Sequence, residues 1–271
     1  MPSESNKFAA VVLAGERPGG SAISQELGLA ASVLVDVAGK SALARVIDAL
    51  ETSAMVEGGL LSGPDEKIYC ENKEIKKILK ESSFQWTPPE TGPSASALAA
   101  LEQLDRFPVL LISGDHALLS PALVDFFCRE AVKMDADVVF GLAPYAIVRA
   151  AFPGSKRTVL KFSDGQYCGT NLFAILNREG KAGPVFWQEL EVHRKRPWRM
   201  AHRLGVGLLL RYLFGRLSLD DALKSLSHAM GCRMGVVRID VARAAVDVDT
   251  VADKQLAVKI LQGDQKNDVR P

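Results

Sequence analysis

The sequence predicts an α/β protein: a three-layer α/β/α sandwich around a mostly parallel, Rossmann-like central sheet. Three observations predict it. Apolar runs of strand length alternate along the chain with amphipathic segments of helix length. The runs at 8–14 and 109–112 are apolar at every position, as in strands covered on both faces. The 271 residues are 48% hydrophobic, enough for a sizeable core, yet no apolar run approaches the ~20 residues of a membrane span.

In order, the first strand, 8–14, breaks at Gly15, and a loop follows, Glu16-Arg17-Pro18-Gly19-Gly20-Ser21. Leu43, Val46, Ile47 and Leu50 recur at helical spacing and predict a helix over 41–53. A strand over 58–62 and a helix over 72–82 come next. The tight turn Gly92-Pro93-Ser94 opens a helix over 94–105, and the strand 109–113 ends in Gly114-Asp115. Ser120 followed by Pro121 supplies the cap and first turn of a helix over 121–134. Strands are expected over 137–143, 157–162, 171–176 and 234–239, and helices over 183–193, 199–214, 219–229 and 251–262. The chain reads as one domain over 1–271, in which 145–235 interrupts the simple alternation, holds most of the basic clusters and is assigned to recognition of a second substrate.

Composition excludes several classes. A net charge of +1 lacks the basic excess of a general nucleic-acid binder. Cys70, Cys128, Cys168 and Cys232 are scattered without C-x-x-C spacing, which predicts reduced thiols rather than a disulfide framework or a zinc site. The polar start, Met1 to Lys7, has no signal-peptide order, and a cytoplasmic protein is expected.

Four segments carry candidate chemistry. A buried strand that turns through a Gly-rich, Arg-bearing loop offers bare backbone N–H groups and a cation where open α/β sheets bind phosphorylated ligands; the alternative is an ordinary strand-to-helix turn. Asp115 at a strand tip suits either a divalent cation, of which magnesium needs only one or two carboxylates beside phosphate oxygens, or a helix cap, a task Ser120 already fills. In Ala245-Val246-Asp247-Val248-Asp249-Thr250 the two aspartates share a face if the segment is extended, and one of them can complete a site with Asp115; Thr250 and Asp253 read as a helix-start cap. The Gly92, Ser94 and Ser96 turn suits a base, ribose or phosphate, or a plain Ser cap.

In this order the segments resemble the nucleotidyltransferases with a glycosyltransferase-A-like fold, in particular the group of molybdenum-cofactor guanylyl- and cytidylyltransferases and 2-phospholactate guanylyltransferases. The family's L-A-G-G-x-G-x-R-M-G is echoed at 13–20, its K-x-L-x-x-V-x-G-x-P-L at 34–43, its G-D-x-P-L at 114–118 and its D-V-D-T-P-E-D at 247–253. The resemblance implies transfer of a nucleotide from an NTP (GTP or CTP) to a phosphorylated small-molecule acceptor with release of pyrophosphate. It implies a nucleotide site of Leu13, Ala14, Gly15, Glu16, Arg17, Gly19, Gly20, Gly92, Ser94, Ser96 and Gly114, with Arg17, Asp115 and Asp249 as catalytic groups. Asp115 and Asp249 would hold magnesium. The resemblance places the acceptor at Arg157, Lys161 and Asn171; separately, Lys195 and Arg196 in the basic run around Trp198 suit a phosphate-bearing acceptor or are a solvated basic turn. His116 is read as structural.

This chain departs from the pattern. Glu16 stands where the family has glycine, and no lysine lies near Ala31-Ser32-Val33, where the family places one. Loss of one such donor costs ~3–4 kcal/mol of transition-state stabilisation, so Lys40 or a distant cation must substitute, or turnover is slow or lost. Two further classes therefore stay open: a glycosyltransferase using a nucleotide-sugar, through Asp247-Val248-Asp249 as a D-x-D, and a non-catalytic nucleotide-binding protein. The stretch 200–217 is read as a core helix of an insertion or a face of a possible homodimer, ahead of a membrane-surface helix.

Overall fold

Strand β1 (Phe8–Leu13) is buried along its length except at its tip and stands at the centre of the molecule. The computed structural model describes residues 7–17, 19–193 and 205–268. After β1 come α1 (Ala22–Leu27), a small hairpin of β2 (Asp36–Val37) and β3 (Lys40–Ser41), α2 (Ala42–Thr52), β4 (Val56–Ser62), α3 (Glu66–Glu71), α4 (Lys73–Lys80), β5 (Phe84–Thr87), α5 (Pro93–Leu104), β6 (Val109–Ser113) and α6 (Pro121–Ala131). The second half holds β7 (Val138–Pro144), α7 (Tyr145–Ala151), β8 (Leu160–Phe162), β9 (Gly165–Ile175), α8 (Ala182–His193), α9 (Val206–Leu213), α10 (Leu219–Met230), β10 (Met234–Arg238) and α11 (Val251–Asp268).

The alternation of side chains along β1 builds the three layers. Phe8, Ala10 and Val12 enter a cluster with Leu43, Val46, Ile47 and Leu50 of α2, Ile75 of α4 and Leu123, Val124 and Phe127 of α6. Ala9 and Val11 enter another with Ala97, Ala100 and Leu101 of α5, Trp187 of α8 and Met230 of α10. Neither face of β1 meets water, which is why its sequence is apolar at every position.

The strands lie in the order β5-β4-β1-β6-β9-β7-β10, with β8 attached to β9. The pairs β5·β4, β4·β1, β1·β6 and β7·β10 are parallel. Strand β9 runs antiparallel to β6 and β7, so it is the reversed strand of this path. The α/β class and the mostly parallel sheet are as expected from sequence. Leu13 pairs with Ser62 and with Ser113, and Ser62 pairs with Thr87, so the carboxyl ends of four strands line up at one edge.

The differences from expectation are local. The sequence does not announce β5: Phe84 to Thr87 is four residues long and runs into Pro88-Pro89. Of the strand expected over 157–162 only β8 forms, and residues 157–159 are irregular. Strand β9 extends back to Gly165, through Gly169 and a register shift opposite Phe140 to Leu142 that hide its pattern. Segment 145–235 contributes to the main sheet, since β9 lies between β6 and β7.

Candidate active site

The loop after β1 is shaped by what surrounds it. Ala14 N–H donates to the Ser62 carbonyl (2.8 Å). Gly63, at φ +94, passes so close that a Cβ there would sit 2.7 Å from the Gly15 nitrogen, so only glycine fits. Gly19 and Gly20 have φ of 88 and 84, the Gln25 side chain holds the Gly19 carbonyl (2.6 Å), and Ser21 and Ser24 form a capping box that starts α1. The N–H groups of Gly15, Glu16, Arg17 and Gly19 donate to no acceptor among the described residues. Such a set of unpaired donors beside an exposed Arg17 suits a polyphosphate.

Glu16 behaves differently from its neighbours. Its carboxylate accepts from the backbone N–H of Ser32, latching the loop to the short 3-10 turn Ser32–Leu34. The family's missing lysine maps to this turn, so the two departures from the pattern meet at one place. Lys40, the other candidate cation, pairs with Asp48 of α2.

The acidic half of the site grows from β6. Gly114 N–H donates to the Leu13 carbonyl (2.9 Å), and a Cβ at Gly114 would crowd Val33 and Ala14, so the tips of β1 and β6 lie side by side. The Asp115 carboxylate accepts from the Ser113 hydroxyl (2.6 Å). Near the other end of the chain, Val246 and Val248 are fully buried in a cluster with Ile23, Val35, Val37, Ala117 and Leu118. That alternation turns Asp247 and Asp249 to the opposite side, as the sequence predicts for an extended segment. Ser120 caps α6 and Thr250 with Asp253 caps α11, which leaves Asp115, Asp247 and Asp249 without a capping role.

These carboxylates act on one another. Burial first, then the charges of Asp249 and Asp247, push the Asp115 carboxyl up to about 6 against the opposing Ser113 bond. Asp249 is also raised, by desolvation and by Asp247 and Asp253, while Arg157 and Arg17 pull it down. Arg17 and Asp249 are thus near enough to sense each other. A cluster of anions that resists ionisation suits a divalent cation. Among the described residues no group of three or more His, Cys, Asp or Glu side chains is placed to hold a metal ion, so a cation here would take most of its ligands from water and phosphate. His116, beside Asp115, points into the core: it is buried, and desolvation lowers it to about 4.

Two residues expected to bind the acceptor reach Asp247. The Arg157 side chain, 6% exposed, pairs with Asp247 (2.6 Å) and Asp253 (2.7 Å). Asn171, at φ 52, donates its amide to the other Asp247 oxygen (3.2 Å). Both side chains brace Asp247. Lys161 is exposed on β8; Lys195 and Arg196 lie outside the described residues. At the start of α5, Gly92 is extended with no side-chain cap. The Ser96 hydroxyl accepts from Glu90 N–H (2.9 Å), and the Ser94 hydroxyl donates to Glu191 (2.7 Å). Both serines are buried, so their hydroxyls shape the turn. No sequence pattern points to Glu191, which lies 97 positions from Ser94.

A family model described as the MobA-like NTP transferase domain matches residues 10–160. No curated protein sequence matches the chain. Among solved structures, a hypothetical transferase from Thermus thermophilus superposes with a TM-score of 0.77 at 24% identity, covering 92% of this chain and 99% of that one. A CMP:2-keto-3-deoxy-manno-octonic acid synthetase complexed with CTP gives 0.59 at 12% identity, covering 95% and 99%. The 2-C-methyl-D-erythritol 4-phosphate cytidylyltransferase of Thermus thermophilus gives 0.51 at 14%, covering 94% and 99%. These likenesses show a shared fold.

Proposed function

The chain belongs to the MobA-like NTP transferase family, and on that premise we propose that it is a magnesium-dependent nucleotidyltransferase that moves an NMP from GTP or CTP to a phosphorylated small-molecule acceptor and releases pyrophosphate. The observation that carries this reading is the meeting of two opposite half-sites at one sheet edge: unpaired N–H groups with Arg17 on the β1 loop, and Asp115 with Asp249 and Asp247 across from them.

In this reading the loop donors of Gly15, Glu16, Arg17 and Gly19 hold the triphosphate. Arg17 stabilises charge that grows on the leaving diphosphate. A phosphate oxygen of the acceptor attacks the α-phosphorus as the bond to the β-phosphate oxygen breaks, so no covalent enzyme intermediate is needed. Asp115 and Asp249 would hold magnesium, which when bound neutralises phosphate charge at the reacting centre. Arg157 and Asn171 fix Asp247 and, through the same extended segment, the direction of Asp249. Positioning and electrostatic preorganisation then supply the rate. Two relatives in fold are described by their CTP or cytidylyl chemistry, which supports testing CTP beside GTP.

A nucleotide-binding protein with little turnover is the second reading. It is favoured by the Glu16 latch on Ser32 and by the Lys40 pairing with Asp48, since neither leaves a lysine at the phosphates. Pyrophosphate release measured with each NTP against a panel of phosphorylated acceptors, with and without magnesium, decides between them. Magnesium-dependent release with one NTP supports transfer; NTP binding without release in any combination supports the second reading.

A further inference from the structure

Glu191 brings a carboxylate from α8 to the start of α5. Its Oε1 accepts from the Ser94 hydroxyl at 2.7 Å, and its Oε2 would lie 3.0 Å from a Cβ at Gly92. The carboxylate therefore stands over the turn Gly92-Pro93-Ser94, half-buried and open to a ligand. The same turn carries unused donors. Helix α5 has no side-chain cap, and the N–H groups of Ser94 and Ala95 meet no acceptor among the described residues. Ser62, at the tip of β4, is buried with its hydroxyl unpartnered. It faces the α5 layer, as Leu60 does two residues before it. Unpaired donors and a buried hydroxyl around a carboxylate call for a polar occupant.

Position identifies which part of a nucleotide this is. A Cβ at Gly15 would lie 3.4 Å from the Pro89 side chain, so the 89–94 turn borders the loop after β1. The sheet order puts β4 and β5 on one side of β1, and β6, which leads to Asp115, on the other. The reacting phosphates and a cation belong with the carboxylates. The uncharged base then falls on the β5 side, at this turn. Hydrogen-bond pattern identifies the base. A carboxylate accepts through both oxygens and grips two adjacent donors most strongly. Among the common RNA bases only guanine offers such a pair, N1–H and the N2 amino group. Cytosine would set its N3 lone pair against the second oxygen. The N–H groups at the start of α5 complement guanine O6. We propose that Glu191 is the base-selecting residue, accepting from guanine N1–H and N2, so that GTP is taken in preference to CTP. This rests on the nucleotidyltransferase reading and narrows it to one nucleotide.

Equilibrium binding to the full chain, with magnesium and without acceptor, tests it, using GTP, CTP and inosine triphosphate, which lacks the N2 amino group. The parent should bind GTP at least about tenfold tighter than either of the others. Glu191→Gln, whose amide keeps one acceptor oxygen, should bring GTP and inosine triphosphate within about threefold of each other. Ser94→Ala removes the internal partner and keeps the carboxylate, so it should hold the parent's ratio within about threefold. Equal affinity for GTP and inosine triphosphate in the parent, a preference for CTP, or an unchanged ratio in Glu191→Gln overturns the proposal and leaves nucleotidyl transfer standing. A ratio lost equally in Ser94→Ala overturns it too, because the shape of the turn would then set the choice. No binding of any of the three overturns both this proposal and the transferase reading.

Discussion

The backbone N–H of Val248 donates to the carbonyl of Asp115 across 3.2 Å. The two carboxylate-bearing segments are therefore joined through main chain, and the spacing of Asp115 from Asp247 and Asp249 does not depend on any one carboxylate. Asp115→Asn and Asp249→Asn should each abolish magnesium-dependent turnover while leaving the unfolding midpoint close to that of the parent. Full magnesium-dependent activity in both variants would show that the cation is held elsewhere.

Arg157 is the side chain on which the geometry of the acidic cluster leans. Arg157→Ala leaves Asp247 and Asp253 without their shared cation, and removal of one partner from a buried pair costs ~3–5 kcal/mol. The expected result is a large loss in denaturation midpoint together with weaker magnesium binding. Arg157→Lys, which lacks the planar fork, should recover only part of both. An alanine variant as stable as the parent would remove the strut role.

The pH dependence has a defined sign. The Asp115 carboxyl is raised from the usual 3.8 to about 6, so between those values the folded chain keeps a proton that the unfolded chain has released. Stability of the metal-free protein therefore falls as pH rises through this window, by at most about 3 kcal/mol. Magnesium takes the ionised form, so its dissociation constant should be level above about pH 6 and rise up to about tenfold per unit below it. Denaturant melts and magnesium titrations at matched pH values measure the two trends, and a metal-free stability that climbs across the window contradicts the assignment.

Asp137 gives the opposite sign at a distance from the site. It is held well below the usual carboxylate range, chiefly by Arg233 and further by Asn177, against a desolvation penalty. It accepts from Asn177 and from both the guanidinium and the backbone N–H of Arg233. Its stabilisation is present above about pH 4 and is lost as pH falls toward its folded value. Asp137→Ala should destabilise the sheet by ~3 kcal/mol at neutral pH, and the gap to the parent should narrow in acid.

The Glu16 latch predicts non-additivity at the β1 loop. A lysine placed at Ser32 meets the Glu16 carboxylate, so Ser32→Lys alone should change turnover by less than about threefold. Combined with Glu16→Gly it should raise turnover about tenfold or more, within the range one cationic donor supplies. Lys40→Ala, which removes a partner of Asp48 only, should leave turnover within about twofold, as exposed pairs are worth little. Additive effects of Glu16→Gly and Ser32→Lys would separate the latch from catalysis.

What can be read from sequence follows from range. The buried strands β1 and β6 are legible because burial on both faces leaves a continuous apolar run, and the direction of Asp247 and Asp249 is legible because Val246 and Val248 alternate with them. Helices α1, α3 and α7 have six or seven residues each, too short to show a period. The roles of Arg157 and Glu191 are hidden because their partners lie 90 to 97 positions away. Arg157 is assigned to the acceptor by its even spacing from Lys161 and by the resemblance, and neither carries a mark of the carboxylates it pairs with. Glu16 bonding to Ser32, 16 positions on, is equally invisible where no pattern links a loop to a 3-10 turn.

The packing of Val246 and Val248 beneath Ile23, Val35 and Ala117 has a consequence for biosynthesis. The loop after β1 and Asp115 are synthesised first, while Asp249 and the valines that pack beside it follow later in the sequence. A nascent chain can pair β1 with β4 and β6 early, yet it holds half of its charge constellation over an uncovered apolar floor until translation passes Val248. A chain without Val246 and Val248 therefore leaves the apolar cluster around Ile23, Val35 and Ala117 uncovered and lacks Asp247 and Asp249 at the same time.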